Sequence, residues 1–333
     1  MKETFKAVVV RSHDDETSYA LEDYQLGDKA VDESDTIVKL AYSSMNYKDM
    51  LATQHQGGVI RSYPLIPGID ASGEIVETSH PEAKIGEKVI NTCSAAGVTH
   101  NGGYSQYLKV PYEWLVTLPE GISEKEAMIY GTAGLTAAYS VDSLLKHGMD
   151  LDQQPEILVT GASGGVGSIA LAILNKLGFK NISALIRKDY QESLVKRLGA
   201  SQVIWPADLE GDKPLNKRRF DFVLDTVGGQ VAAQAMTFIS EWGSMTLCGN
   251  AGGSKLETTV LPLILRGVNL LGINSTELDI NYRQELWNKL ATDWKVVDRL
   301  SYDSVGLDQI EETVEALKAG KHMGRTIIDL QNF

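Results

Sequence analysis

The stretch ILVTGASGGVGSIALAILNKLG, residues 157–178, constrains the fold more than any other part of the chain. Apolar and β-branched residues run into a glycine-rich loop, and an apolar helical pattern follows. A strand that passes through a glycine turn into a helix is the opening of a βαβ unit. Glycines at 161, 164, 165 and 167 let the backbone turn tightly and let a phosphate approach the helix N-terminus. There, unpaired N–H groups and the helix dipole favour an anion. A tight turn without a ligand would be weakened by that many glycines for no return. Glycines, serines and Lys176 make this stretch a buried strand and helix, not a membrane span.

The rest of the chain falls on either side of that unit. Residues 1–125 read as short strands and turns: FKAVVV, TIVKLAYS, ASGEIVE, EKVINT and YSQYLKV, with Gly, Pro, Asp and Asn between them. YEWLVTLPEGIS reads as a junction. Ala127 to Lys146 has a helical pattern, and strands then alternate with helices through SQVIWP, FDFVLDTV and GSMTLCG to VNLLGIN. Such alternation implies βαβ units, a parallel sheet and helices on both of its faces. From about residue 280 the pattern is mixed. Asp308 to Ala319 reads as an amphipathic helix, Gly320 as its cap and RTIIDL as a last strand, which is expected to pack on the first domain. KPLNKRRF (213–220) reads as a solvated loop.

A chain of 333 residues exceeds one ordinary core and suggests roughly two domains. A formal net charge of −13 argues against nucleic-acid or anionic-membrane partners, while leaving room for a small anion in a local basic pocket. Cys93 and Cys248 are the only cysteines, which rules out a disulfide framework or a four-cysteine zinc site and suits a reducing cytoplasm. The opening MKETFKAVVVRSHDDE is charged and lacks the apolar core of a signal peptide.

The loop spacing also fits short-chain dehydrogenases, which need a Tyr-xxx-Lys pair downstream. Tyr190, Tyr282 and Tyr302 are followed four positions on by Leu194, Leu286 and Gly306, so that reading is set aside. NAD sites place Asp or Glu about 20 residues past the glycines, on the ribose 2′-hydroxyl. Counting from Gly167 lands on Arg187, followed by Lys188. A guanidinium grips a 2′-phosphate in a fork where a carboxylate would repel it. The expected carrier is therefore NADPH rather than NADH.

At this point six stretches in order, SSMNYKDMLA (43–52), YPLIPGIDASG (63–73), YGTAGLTAA (130–138), DTVGG (225–229), TTVLPLILRGVNLLGINS (258–275) and MGRTIID (323–329), resemble the medium-chain dehydrogenase/reductase superfamily. They are most similar to its zinc-free quinone oxidoreductase / acryloyl-CoA reductase branch, over essentially the whole chain. The resemblance implies an α/β fold: a GroES-like β-rich catalytic domain at 1–125, completed by 280–333, plus a Rossmann domain with a doubly wound parallel sheet at 126–279. It also implies a cleft between them and a homodimer, with VNLLGIN at the interface.

Zinc members of the superfamily need Cys, His and Cys or Asp ligands. Here Asn46 stands at the first ligand position, and Gly68-Ile69-Asp70 stands where those enzymes have Gly-His-Glu. The six histidines form no ligand-spaced cluster, so no metal is expected. Without a Lewis acid, reducing a conjugated double bond or a quinone is easier than oxidising an unactivated alcohol. Hydride adds to the β-carbon, hydrogen bonds hold the resulting enolate, and a proton reaches the α-carbon.

The resemblance carries roles onto particular residues. Tyr47 would stand by the nicotinamide, as proton donor, ring-orienting group or packed wall, and Asn46 would hold the substrate oxygen or cap a turn. Lys48 and Asp49 would pair with each other. Ser163, Gly164, Gly165 and Val166 would face the pyrophosphate; Leu185, Ile186 and Arg187 would face the adenine ribose phosphate. Asn250, Ile264, Ser275 and Thr136 would line the ribose and nicotinamide end. Arg325 would reach back to the cofactor phosphates. Arg61 and Arg266 would meet CoA phosphates if the substrate is a thioester, or pair on the surface if it is not. Two other functions remain open: a zinc-free alcohol or sugar dehydrogenase, and an NADPH-binding protein without turnover.

Overall fold

The computed structural model describes residues 4–13, 16–26 and 35–332. Residues 1–3 and 14–15, part of the stretch read for a signal peptide, lie outside that set. Two compact units emerge: Met1–Thr132 with Thr276–Thr292 and Ser301–Phe333, and Ala133–Ser275 with Asp293–Leu300.

In chain order the first elements are β1 (Phe5–His13), β2 (Glu16–Tyr24), β3 (Asp35–Met45), α1 (Tyr47–Ala52), β4 (Ala71–Thr78), β5 (Lys88–Asn91), β6 (Tyr107–Pro111), β7 (Leu115–Thr117) and α2 (Glu124–Lys146). Next come β8 (Ile157–Val159), α3 (Gly165–Leu177), β9 (Ile182–Leu185), α4 (Glu192–Leu198), β10 (Gln202–Ile204), β11 (Phe220–Asp225), α5 (Gly229–Thr237) and β12 (Ile239–Leu247). The last are α6 (Leu261–Arg266), β13 (Asn269–Gly272), α7 (Ile280–Ala291), β14 (Tyr302–Val305), α8 (Ile310–Lys318) and β15 (Arg325–Asp329).

The first unit is β-rich. β1 and β2 form an antiparallel pair from Phe5–Tyr24 to His13–Glu16. A larger sheet runs β14-β15-β3-β4-β5-β7, with β6 also on β3. Alternating apolar residues of these strands, such as Val38, Leu40, Ile75, Val89, Leu108 and Ile328, meet in one core. The register of β15 on β3 pairs Thr326 with Met45, which brings the C-terminal segment beside the start of α1. The expected junction YEWLVTLPEGIS is more than a connector. Its Leu115–Thr117 segment is β7, pairing Val116 with Ile90 of β5, because its apolar residues complete the sheet.

The second unit holds a six-stranded parallel sheet in the order β10-β9-β8-β11-β12-β13. That is the Rossmann order, which reverses direction between β8 and β11. Ile157, Leu158 and Val159 are fully buried, as expected of a central parallel strand. Truncating Leu158 to Ala would cost about 2–5 kcal/mol. α3 buries the continuous run Gly167–Leu174. The loop after β8 therefore opens at the point where ligands bind in such sheets. No helix among the described residues is long and apolar enough to cross a membrane.

Candidate functional site

In the second unit the glycine loop is shaped by close packing. Gly161 has φ 58, and a Cβ there would lie 2.3 Å from Thr226 Oγ1. Its carbonyl accepts the Gly164 N–H at 2.9 Å, and a Cβ on Gly167 would lie 2.3 Å from the same oxygen. Gly164, the N-cap of α3, differs: a Cβ there would meet no protein atom nearer than 3.3 Å. No side chain caps the helix, and the Ser168 N–H is the first to reach a helical acceptor, Gly164 O at 3.0 Å. The N–H groups of Gly165, Val166 and Gly167 are thus left for an anion. Gly164, Gly165 and Val166 are half-buried and Ser163 is buried.

Sequence reasoning quoted the DTVGG motif but missed what Asp225 does. Asp225 is fully buried and accepts from Thr160 Oγ1 at 2.6 Å and from Gly228 N–H at 2.7 Å. Thr226 N–H donates to Thr160 Oγ1 at 3.0 Å, and Thr226 Oγ1 donates to Thr160 O at 2.9 Å. Burial raises the Asp225 pKa, and its hydrogen bonds oppose the shift. These bonds tie the end of β8 to the end of β11 and hold the glycine loop in place. An acid at a strand end before Gly-Gly was the available signal.

The end of β9 carries free positive charge. Leu185 and Ile186 are buried, and Arg187 and Lys188 are exposed. Gln191 Oε1 accepts the backbone N–H groups of Arg187 and Lys188 at 3.0 and 3.1 Å. The Arg187 guanidinium has no hydrogen bond or ion pair to any described residue. Beside Leu185 lies a cavity of about 680 Å3, lined by Pro206, Leu209, Gln230, Val231 and Gln234. Those residues come from separate segments, so no local motif announces them. An open N–H cradle, a cavity at the end of β9 and an unpaired guanidinium suit the pyrophosphate, adenosine and 2′-phosphate of NADPH.

Thr136 and Ser275 are brought together: their buried hydroxyls hydrogen-bond at 3.0 Å. Asn250 is exposed in a loop whose Gly252 N–H donates to Val227 O at 2.7 Å. Ile264 is 67% exposed on α6 next to exposed Leu265.

In the first unit a buried polar cluster surrounds Asn46, which N-caps α1. Asp49 Oδ2 accepts the Asn46 N–H at 2.8 Å and its Nδ2 at 3.1 Å. Asn46 Nδ2 also donates to Asp70 Oδ2 at 2.7 Å, and Asn46 Oδ1 accepts from Arg325 Nη1 at 3.1 Å. The Asp49 pKa is pushed up to about 7, by burial first and then by the Asp70 charge, against hydrogen bonds from Asn46 and Ile69. Tyr47 is 41% exposed, and its phenol bonds to no described residue.

The bonding in this cluster, and that of Arg266 in the second unit, bears on four expectations. Asn46 stands at the N-cap of α1, and its amide is engaged on both oxygen and nitrogen with Arg325, Asp49 and Asp70, which favours the turn-bracing alternative over a substrate contact. Lys48 is half-buried with no ion pair to Asp49, which is buried and bonded to Asn46 and Ile69, so the two do not pair. Arg325 is 2% exposed and donates to Ile129 O, Met45 O, Asn46 Oδ1 and Ser44 Oγ, so its donors are spent inside its own unit rather than offered to phosphates. Arg266 is also buried and donates to Thr237 O, Ile239 O and Asn216 O, which removes it as a CoA contact. Arg61 is exposed and without a partner among the described residues. Among those residues no group of three or more His, Cys, Asp or Glu is placed to hold a metal.

Residues 32–120 match the alcohol dehydrogenase GroES-like domain family, and residues 165–292 match the zinc-binding dehydrogenase family. YhfP of Bacillus subtilis, which carries a quinone oxidoreductase name, is 38% identical over 99% of this chain and 100% of its own. Its crystal structure with NAD bound superposes with a TM-score of 0.93, over 98% of this chain and 100% of its own. AcuI of Escherichia coli, named as an acrylyl-CoA reductase, is 36% identical over 97% of this chain and 99% of its own. The yhdH oxidoreductase of Salmonella enterica, solved in complex with NADP, gives a TM-score of 0.92 at 34% identity, over 97% of this chain and 99% of its own.

Proposed function

The chain belongs to the medium-chain dehydrogenase/reductase superfamily, in its zinc-free quinone oxidoreductase / acrylyl-CoA reductase branch, and from that premise we propose that it is an NADPH-dependent oxidoreductase reducing quinones or activated double bonds of the enal, enone or acryloyl-CoA type. The observation that carries this reading is the open N–H cradle of Gly165–Gly167 together with the unpartnered Arg187 guanidinium. Relatives in the branch are solved with NAD as well as with NADP. Arg187 supports NADPH here, because a fork of N–H donors gains a charge-assisted bond only when the 2′-phosphate is present.

Bound NADPH supplies the hydride for the β-carbon or the quinone. The chain's part is positioning and proton handling. Backbone N–H groups at 165–167 take the pyrophosphate, Arg187 takes the 2′-phosphate, and the Thr136–Ser275 pair and Asn250 serve the nicotinamide end. Tyr47, with its free phenol, is the candidate donor to the reduced substrate. We assign substrate chemistry to the β-rich unit, 1–132 with 276–292 and 301–333 rather than 1–125 with 280–333, and cofactor binding to 133–275 with 293–300 rather than 126–279. Two unbridged cysteines suit a reducing cytoplasm, where we place the protein.

A homodimer is part of the proposal. β13 is an edge strand, with Leu270 38% exposed. Trp242, Ile264 and Leu265 are exposed in the same unit at 79%, 67% and 61%. An unpaired strand edge with large exposed apolar side chains in its unit is the kind of surface a second copy covers.

The test mixes the protein and NADPH with menadione, an enal and acrylyl-CoA in turn, and with ethanol plus NADP, while following reduced-nicotinamide absorbance. Oxidation of NADPH by at least one of the first three is expected, with kcat/KM for NADPH about 10–100-fold above that for NADH. Turnover of ethanol alone would favour an alcohol dehydrogenase. Quenching of tryptophan fluorescence by NADPH without any turnover would favour a binding protein.

A further inference from the structure

Asp70 and Arg325 are placed with more care than a buried ion pair needs. Asp70 is fully buried and Arg325 is 2% exposed. Their closest charged atoms are 3.8 Å apart, and Ser44 stands between them: Arg325 Nη2 donates to Ser44 Oγ at 2.8 Å, and Ser44 Oγ donates to Asp70 Oδ2 at 2.6 Å. A second route closes the ring through Asn46, whose Oδ1 accepts from Arg325 and whose Nδ2 donates to Asp70. Thr132 anchors the carboxylate, with Oγ1 donating to Asp70 Oδ1 at 2.6 Å and N–H at 3.0 Å. Gly131, φ 54, leaves room for this ring: a Cβ there would lie 2.3 Å from Asp70 Oδ2 and 2.8 Å from Arg325 Nη2.

Burying such a ring gains little stability over apolar residues of equal volume, since desolvation offsets the attraction. What it does impose is direction. The amide oxygen of Asn46 must face the guanidinium and its nitrogen the carboxylates. We propose that Asp70 and Arg325 are a positioning pair that locks the Asn46 cap and so fixes the first turn of α1, which carries Tyr47. The proposal rests on the reading of Tyr47 as the residue at the reacting end.

The test uses the full chain with NADPH and whichever of menadione and acrylyl-CoA gives the higher wild-type turnover. Thr132→Val removes one anchoring bond and keeps the backbone N–H, so it serves if Asp70→Asn fails to fold. Thr132→Val should lower kcat about tenfold, as expected for a slightly misplaced group. KM and the NADPH dissociation constant, read by tryptophan quenching, should stay within about twofold. Thr132→Ser should restore kcat. In a Tyr47→Phe background, Thr132→Val should lose most of its effect, because the residue it positions is already disabled. Losses that multiply independently in the double variant would overturn the positioning role, as would wild-type kcat in folded Asp70→Asn. Tyr47→Phe with unchanged kcat would instead overturn the reading beneath it, and the proposal with it.

Discussion

Arg187 and Arg325 are both arginines that motif reading singles out, and their surroundings differ. Arg187 lies past the end of β9 with its backbone held by Gln191 and its guanidinium unpartnered. Arg325 has backbone carbonyls, Ser44 and Asn46 around it, and none of its three guanidinium nitrogens is left idle. Arg187→Ala should therefore raise the KM for NADPH about 10–100-fold while leaving that for NADH within about twofold, measured by initial rates with each carrier. Equal loss with both carriers would remove the 2′-phosphate contact. Position in the sequence placed Arg187 past the end of β9, because the distance from the glycines to the next strand end is set by one helix and one turn. It mistook Arg325 because a charged residue in a conspicuous motif looks available until its acceptors are known.

At the scale of elements, the strand–loop–helix at 157–178 was fully legible, because its apolar run, its glycines and its helical period are local signals. Gly167 holds this unit together at close range: Gly167→Ala should cost about 1–3 kcal/mol in thermal unfolding and weaken NADPH binding in the same titration, since the new Cβ must push the Gly161 carbonyl away. β7 was read as a junction because a three-residue strand has too little pattern to register alone, and only pairing with β5 makes it a strand. The edge strand β13 bears a prediction of its own. If the proposed homodimer pairs through β13, light scattering should give a dimer mass for wild type and a monomer mass for Leu270→Lys, because a lysine on an edge opposes strand pairing. An unchanged mass would place the dimer contact elsewhere.

For the whole molecule, two groups in the first unit set opposing pH dependences over one window. Asp49, raised from 3.8 to about 7, keeps its proton in the folded chain while the unfolded chain gives it up, so stability falls as pH rises between those values. His322, lowered from 6.5 to about 4 by burial and then by Arg325, stays neutral when folded while the unfolded chain takes a proton, so stability falls as pH drops through the same range. The two largely cancel, and single variants should expose each. In urea unfolding from about pH 4 to about pH 8, Asp49→Asn should gain stability with rising pH relative to wild type, and His322→Gln should lose it. Parallel profiles for all three proteins would refute the assignment. Taken alone, the sequence determined the parallel nucleotide-binding sheet and the glycine cradle at its first turn, because each depends on residues within one βαβ unit. Only the tertiary structure decided which arginine is free, why Gly131 is a glycine, and which groups the Asn46 amide meets. Ser44, Asn46, Asp49, Asp70, Gly131, Thr132 and Arg325 belong to distant segments, and a polar group's availability is settled by the neighbours that folding brings to it.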